Sequence, residues 1–506
     1  MNFKASQAVG QEKSEFGKIR SILLPIHRFE LKKFIPMSLL LFCMLFIQTM
    51  LRDLKDIFIL KLAFCGEANL IPQIKLWFVM PTVFLTIMLY SFLINKFGFK
   101  KTFYVMTLGL TLFYIIFYFI LLPNVELFHA NEEQINAMRL AVPSIFYYII
   151  PCLANWSYTL FYIFAEMWSA VMIQSLFWQF ANYITMENEV KRFYTLYPLI
   201  GFVGALASGS FLKIMSQSVS EQRFLANIKI LLAVCIILCI FLCILFTYIN
   251  KVVLKDPRLF DKTKIKPRKK KEKVGFLDGF KILFHSKYLL LIALISISYG
   301  LCITFSNVVW KEQVSMIYTG SGYASMMANI EILSSTFSII MSVAGTNLLR
   351  KFKWKTVALI TPVVLSIFGG LFLLLVLYSK LISPTIFGLN ALYFAVWFGV
   401  FQDSLSKSCK YTIFDSTKNM AYIPLDYETK TKGQAAVEIA GTKLGKASSS
   451  IIQVFLTNIF NVGSRLSSHL FTVISIISLT IIGWIVSISK LSIKYEQKVK
   501  ESHEQK

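Results

Sequence analysis

The sequence predicts an all-α polytopic membrane protein, with about twelve transmembrane helices in two six-helix halves. Three observations point there. The 506 residues are 56% hydrophobic and only 16% charged, with a mean hydropathy of +0.63; soluble domains are less apolar and more charged. Apolar runs of about 20 residues, enough to cross the hydrocarbon core, recur along the chain. A basic stretch from Lys251 to Lys273 separates them into two sets.

Each element follows in order. Residues 1–33 hold Lys4, Lys13, Lys18, Arg20 and Arg28 without the apolar centre of a signal peptide, so they are expected to be retained as a cytoplasmic segment. Residues 34–249 form the first half, with spans near Phe34–Met50, Leu76–Ile94, Thr102–Leu122, Leu196–Ile214 and Ile228–Ile249. Between the third and fifth of these six, Ser144 to Ile184 is too long for one span, and Pro151, Asn155 and Glu166 interrupt it. It reads as an outer segment feeding one long span, which gives twelve in all, with thirteen as the alternative. Residues 250–288 are a basic cytoplasmic linker. Residues 289–488 form the second half, with spans near Leu289–Val309, Ala324–Leu348, Thr356–Tyr378, Thr385–Leu405, Gln434–Ile459 and Phe471–Ile488. A cytoplasmic tail, 489–506, closes the chain.

The net charge of +25 invites a nucleic-acid reading, but its distribution argues against one. Eleven Lys and Arg residues crowd Lys251 to Lys273, and smaller basic groups sit at Lys96, Lys100 and Lys101 and at Arg350, Lys351, Lys353 and Lys355. With twelve spans and the N-terminus inside, all of these face the cytoplasm, while Glu126, Glu132, Glu133 and Glu221 fall in the opposite loops. That is the positive-inside pattern, with anionic lipid headgroups as the partner and no nucleic acid. Both termini are expected in the cytoplasm.

Enzyme chemistry finds no support. His27, His129, His285, His469 and His503 are isolated, and there is no nucleophile elbow or carboxylate cluster. Cys235, Cys239 and Cys243 stack on one helix face, where small apolar packing is the simple reading. No cofactor, metal or obligate protein partner is implied. Gly201, Ala205 and Gly209 recur every four residues, as do Gly441 and Gly445, which lets helix backbones approach closely.

Ionisable groups inside spans cost about 2.5–3.5 kcal/mol at the bilayer centre, so they are kept mainly where they pair or line a cavity. Three stretches qualify. "TMLRDLKDIFIL" packs Arg52, Asp53, Lys55 and Asp56 beside an apolar run; Arg52 and Asp56 share a helix face. If the helix runs on past Met50, the cluster projects from its outer end, either as an interfacial cap or as a site. "YIFAEMWSAVMIQSLFWQFANYIT" holds the single carboxylate of Glu166 among aromatics. "AGTKLGKASSS" imitates a P-loop, but Ala440 and Ala447 replace its first Gly and its metal-holding Ser or Thr. Lys443 and Lys446 there can still attract phosphate as point charges. Together these supply cations and a carboxylate on both halves, which suits a polyanionic substrate. Tyr158, Trp168, Trp178 and Tyr183 could stack on a base, although ordinary packing explains such aromatics equally.

Two six-span halves joined by a charged loop resemble the major facilitator superfamily, whose site lies between the halves. "NKFGFKK", Asn95 to Lys101, looks like a degenerate form of its loop between the second and third spans. Closer still, "RDLKD", "FAEMWS" with "SLFWQFAN", "KRFYTLYPLIG", "FDSTKNMAYIPLD" and "KGQAAVEIAGTKLGKASS" resemble the ATP/ADP translocases of obligate intracellular bacteria and plastids, from about Phe34 to Ile488. The resemblance implies exchange of a nucleoside triphosphate for an internal diphosphate across the bacterial inner membrane. It also implies that Lys55, Glu166 and Lys446 are the functional residues, with Arg52 beside them. One position departs: where the family carries a second glutamate before the Trp-Lys pair of span seven, this chain has Asn307, and Glu312 lies beyond the pair. That puts ATP preference and strict exchange in question, with a proton-coupled or non-adenine nucleotide transporter, or another organic-phosphate carrier, as the alternative. Ala447, in place of the usual Ser after Lys446, is a milder departure.

Overall fold

Long apolar runs leave their backbone groups no partner in lipid except one another, so they fold as helices. A computed structural model describes residues 26–185, 187–217, 220–260, 283–318, 320–381, 385–386, 389–422, 424–425, 437, 445–460 and 464–504. The first half comprises α1 (Leu31–Leu62), α2 (70–97), α3 (99–121), α4 (Trp156–Ile184), α5 (Glu187–Met215) and α6 (Glu221–Lys251). The second comprises α7 (Lys287–Ile317), α8 (Gly320–Lys351), α9 (Trp354–Leu381), α10 (391–421), α11 (445–460 among the described residues) and α12 (Leu470–Glu504).

Nine stretches among the described residues are long and apolar enough to cross a membrane. One of them, Leu70–Leu121, is two crossings, because Gly98 at φ +73° turns the chain between α2 and α3. A side chain is disfavoured at that φ, which explains the Gly of "NKFGFKK". Outside the nine, α10 carries Asp403, Lys407, Lys410 and Asp415, and the early part of the expected Gln434–Ile459 span, with Lys443, lies outside the described residues.

Two expectations are corrected. α1 does not end at Met50 but continues to Leu62, so "RDLKD" lies within the helix and not at its outer end. Arg52, Lys55 and Asp56 there find partners of opposite charge on α8, α4 and α7. The span expected from Thr385 starts at Ala391 instead. Thr385–Ile386 (β1) pairs antiparallel with Leu389–Asn390 (β2), and the Asn390 side chain caps α10 by accepting from Leu392 N–H at 2.9 Å. Ser144 to Ile184 resolves as expected into short turns, Ser144–Phe146 and Ile149–Ala154, followed by the one long α4. Asn155 sets the start of α4: its amide exchanges hydrogen bonds with Phe64, accepting from N–H at 3.0 Å and donating to C=O at 2.9 Å.

Helix contacts place the halves. α1 lies against α5, α6 and α4; α7 lies against α11 and α12; α5 packs along α8 and forms the main seam between halves. The small-residue spacings mark close approaches. A Cβ on Gly209 would come 2.9 Å from Glu331 Cβ across the seam, and one on Gly445 would come 2.7 Å from Ile297 O of α7. Gly201 abuts Leu45 and Leu41 of α1. Further polar ties join the halves at the end away from the chain termini. Lys61 Nζ donates to Ser315 O at 2.7 Å, Asn69 Nδ2 to Ser464 O at 2.8 Å and Tyr148 Oη to Ser464 O at 3.1 Å. Gln73 Nε2 donates to Asn458 Oδ1 at 3.0 Å, and Lys213 Nζ donates to Ser325 Oγ.

Between α3 and α4, His129 is buried, with its Nε2 2.7 Å from Ser157 Oγ and its ring edge-on to Tyr158. Burial lowers its pKa from 6.5 to about 4. Between those values the unfolded chain binds the extra proton, so this contribution is complete above pH 6.5 and is lost as pH falls towards 4. Detergent-solubilised protein should lose thermal stability over that window, by about 1–3 kcal/mol from this residue. His129→Asn should flatten the slope of melting temperature against pH; an unchanged slope would remove His129 as its source.

Candidate functional site

In the last third of α1, the five residues from Arg52 to Asp56 meet both halves. Lys55 is 3% exposed, with its Nζ 3.1 Å from Glu166 Oε1 on α4, 3.3 Å from its neighbour Asp56 Oδ1, and 3.6 Å from the centre of the Tyr162 ring. Asp56 then reaches the second half, its Oδ2 2.6 Å from Lys311 Nζ on α7. The result is a chain of alternating charge, Lys311–Asp56–Lys55–Glu166, running from one half to the other. Two cations and two carboxylates balance within it.

Two more cations act on the same chain without belonging to it. After Lys55, the positive charges nearest in effect on Glu166 are Lys446 of α11 and Lys75 of α2. Lys446 is exposed, Lys75 is partly so, and the Glu166 side chain is 31% open. Cations left open beside a balanced pair network are available to an anion that brings its own charge. Lys446 owes its place to Gly445, whose backbone lies against Gly300 and Ile297 of α7, too near for a side chain.

A second network lies one turn back on α1. Arg52 pairs with Glu331 of α8; Lys407 of α10 lies 3.2 Å from Glu331 Oε1 and 3.0 Å from Asp403 Oδ2. Asp53 is buried beside them. Both networks cross the seam, since α1 belongs to one half and α7, α8 and α10 to the other.

The structure thus brings together Lys55 and Glu166 in direct contact, with Lys446 acting on the same carboxylate from the opposite half and Arg52 one turn away on α1. Asn307 is half-buried on α7, one turn before Lys311 and on its face. Glu312 faces elsewhere: Ser467 donates to it from both N–H, at 3.1 Å, and Oγ at the start of α12. Of the aromatics considered for base stacking, Tyr158 is packed on Phe58, with ring centres 5.1 Å apart, and Trp168 is buried with its indole N–H donating to Met44 O at 3.1 Å. Trp178 packs edge-on to Phe177 and Tyr194, and Tyr183 lies beside Phe260. Tyr411 of α10 is also open, with Lys410 Nζ 4.2 Å from its ring centre and Arg52, Lys407 and Lys446 acting on it.

Lys75, Lys311, Glu331, Asp403, Lys407 and Tyr411 were not singled out from sequence. The signal was present, because each of the charged ones interrupts an apolar run just as "RDLKD" does. Lys311 is further held in place by its neighbour Trp310, whose indole N–H donates to Val396 O of α10 at 2.9 Å. Its ring covers Gly399, where a Cβ would come 2.1 Å from Trp310 Cδ1.

Comparison with known proteins agrees with this architecture. The family described as TLC ATP/ADP transporter matches residues 9–495. The chain is 37% identical over 503 residues to "ADP,ATP carrier protein 3" of Rickettsia bellii, covering 96% of this chain and 99% of that one. It is 37% identical over 493 residues to "ADP,ATP carrier protein 1" of Chlamydia pneumoniae, covering 95% of each. Among solved structures, a bacterial homologue of the iron transporter ferroportin aligns with a TM-score of 0.58 at 12% identity, over 91% of this chain and 99% of that one. A D-xylose-proton symporter aligns with a TM-score of 0.57 at 10% identity, over 91% and 96%. These two fix the major-facilitator fold alone, whereas the sequence matches reach further: this multi-pass membrane chain belongs to the TLC ATP/ADP transporter family of nucleotide carriers.

Proposed function

We propose that the protein exchanges an external nucleoside triphosphate, ATP in the first instance, for an internal diphosphate across a bacterial inner membrane. Both termini and the basic linker 250–288 lie in the cytoplasm, between six-helix halves at 34–249 and 289–488. Lys446, Lys55 and Arg52 bind the phosphates from opposite halves. Glu166 holds Lys55 until the substrate arrives, and Asn307 sits where the choice of base and counter-substrate is made. The observation that carries this reading is that two further cations, the exposed Lys446 and the partly exposed Lys75, act on Glu166 beside an otherwise balanced chain of charge. No hydrolysis step is part of it. Uptake of labelled ATP, ADP, GTP, CTP and UTP by vesicles, with and without internal nucleotide, tests it directly; ATP uptake that ignores internal ADP would remove strict exchange. Reporter fusions should place both ends in the cytoplasm, and ends on opposite faces would remove the twelve-span arrangement.

A second reading, transport of another nucleotide or coupling to protons, is favoured by Asn307. A neutral amide there leaves Lys311, one turn on, with Asp56 as its carboxylate at 2.6 Å. Asn307→Glu should therefore shift the substrate profile towards ATP and ADP and tighten the need for internal nucleotide, by several-fold in each ratio. No change in either ratio would make the position structural.

A further inference from the structure

We propose that the groove between α2 and α4 holds the base of the nucleotide, and that it selects 6-aminopurines and 4-aminopyrimidines over their keto counterparts. This deepens the nucleotide-exchange reading and rests on it. The groove starts at the charges, where Lys75 of α2 acts on Glu166 of α4. From Lys75, the residues Val79, Val83, Thr86 and Tyr90 follow at intervals of four or three along one face of α2. From Glu166, Ala170 and Ser175 lead along α4 in the same direction. There Val83, Thr86 and Tyr90 face Met167, Ala170 and Ser175 around a partly open cavity of about 330 Å3. A cavity continuous with the cations is where the rest of a phosphate-bound substrate must go.

α4 makes the room by its own winding. Ser169–Phe177 is π-helical, with more residues in each turn than an α-helix, a form that recurs at functional sites. Ser175 therefore stands over Ala170, and its Oγ donates to Ala170 O, five residues back, at 2.9 Å. The walls are Val83, Met167 and Val171, apolar surfaces between which a flat base can lie. Val83, Thr86 and Val171 are buried, whereas Met167, Ala170 and Ser175 are half-buried at the opening. Tyr158 and Trp168, already packed against other groups, leave the base this aliphatic berth.

The length fits. Thr86 lies eleven residues past Lys75. That is about 15 Å along the helix axis, the reach of an extended nucleotide from its terminal phosphate to its base. The hydroxyls at that depth set the selection. Thr86 Oγ1 gives its proton to Thr82 O at 2.7 Å, as Ser175 gives its own to Ala170 O. Each keeps lone pairs, and no proton, for the slot. The amino group of adenine or cytosine donates to them, whereas guanine and uracil carry an acceptor at that place. A keto oxygen is bonded only after a hydroxyl gives up its partner in the chain. Tyr90 Oη donates to Gln179 Oε1 and closes the far end. The slot belongs to the first half and Asn307 to the second, so the two halves read one nucleotide from opposite sides.

The test uses the purified full-length protein in proteoliposomes loaded with ADP, and offers labelled ATP or ITP, in which a keto oxygen replaces the amino group. ATP should be taken up about three- to tenfold faster at low concentration, the worth of one net hydrogen bond, and CTP should lead UTP by a similar ratio. Thr86→Val combined with Ser175→Ala removes both acceptors and should bring the ATP-to-ITP ratio to about one, through KM and not kcat. Ala170→Leu fills the slot. In detergent, ATP should raise the melting temperature of the wild type more than inorganic tripolyphosphate does, since tripolyphosphate reaches the cations alone. Ala170→Leu should erase that difference and keep the tripolyphosphate shift. Equal uptake of ATP and ITP by the wild type overturns the proposal while leaving nucleotide exchange intact. An ATP advantage that survives in both variants does the same, and the groove is then a berth for lipid tails. If Ala170→Leu fails to insert, the hydroxyl variant and the wild-type ratio decide. A wild type that takes up no nucleotide sinks the functional reading, and this proposal with it.

Discussion

Lys446→Ala is expected to cut nucleotide uptake by more than tenfold while leaving expression and thermal stability close to wild type. The reason is its environment. Lys446 is exposed near the start of the described part of α11, so removing it uncovers no unpaired buried charge. What is lost is a point charge for phosphate, worth about 1.5–3 kcal/mol as a charged hydrogen bond. Lys446→Arg should restore only part of the uptake, since a planar guanidinium is bulkier where a compact ammonium suffices. Uptake is read at matched expression, alongside a melting curve in detergent. Near-normal uptake in Lys446→Ala would remove the residue from the site.

Lys55→Ala should fail in both respects. Lys55 is buried against Asp56 and Glu166 and over the Tyr162 ring, so its removal leaves Glu166 without its ion-pair partner and Asp56 with Lys311 alone. Breaking a buried pair by deleting one partner costs about 3–5 kcal/mol. The melting temperature should therefore fall along with uptake. Adding Glu166→Gln removes the stranded charge, and the double variant should regain stability without regaining transport. If Lys55→Ala melts like the wild type, the ion-pair chain between the halves does not carry the load assigned to it. If it also transports, "RDLKD" is no site at all.

Much of this was legible in the sequence, for identifiable reasons. Hydropathy and basic loops report on single segments, so the number of spans and the split around Lys251 to Lys273 could be read directly. The cost of burying charge flagged Arg52, Lys55, Glu166, Lys443 and Lys446, and the resemblance to a known family chose Lys446 over Lys443. The extent of α1 was not legible, because a window scan treats Arg52, Asp53, Lys55 and Asp56 as a boundary. Their partners Lys311 and Glu331 lie more than 250 residues away along the chain. Tyr158 and Trp168 failed as base platforms for a related reason: composition counts aromatics but does not reveal which ring already has a neighbour. The start of α10 was missed because a two-residue hairpin capped by Asn390 is as apolar as the span it precedes.

The polar ties at the end away from the termini set the idle leak of the carrier. Lys61, Asn69, Gln73, Tyr148 and Lys213 each donate to a group of the other half there. If each contributes about 1 kcal/mol, an empty molecule keeps that end shut by a factor on the order of a thousand. Only a ligand that binds the opened form more strongly by a similar factor can reverse the preference. A carrier built this way idles when unloaded, so the metabolite pool on one side is protected from draining by the same weak contacts that hold the bundle together.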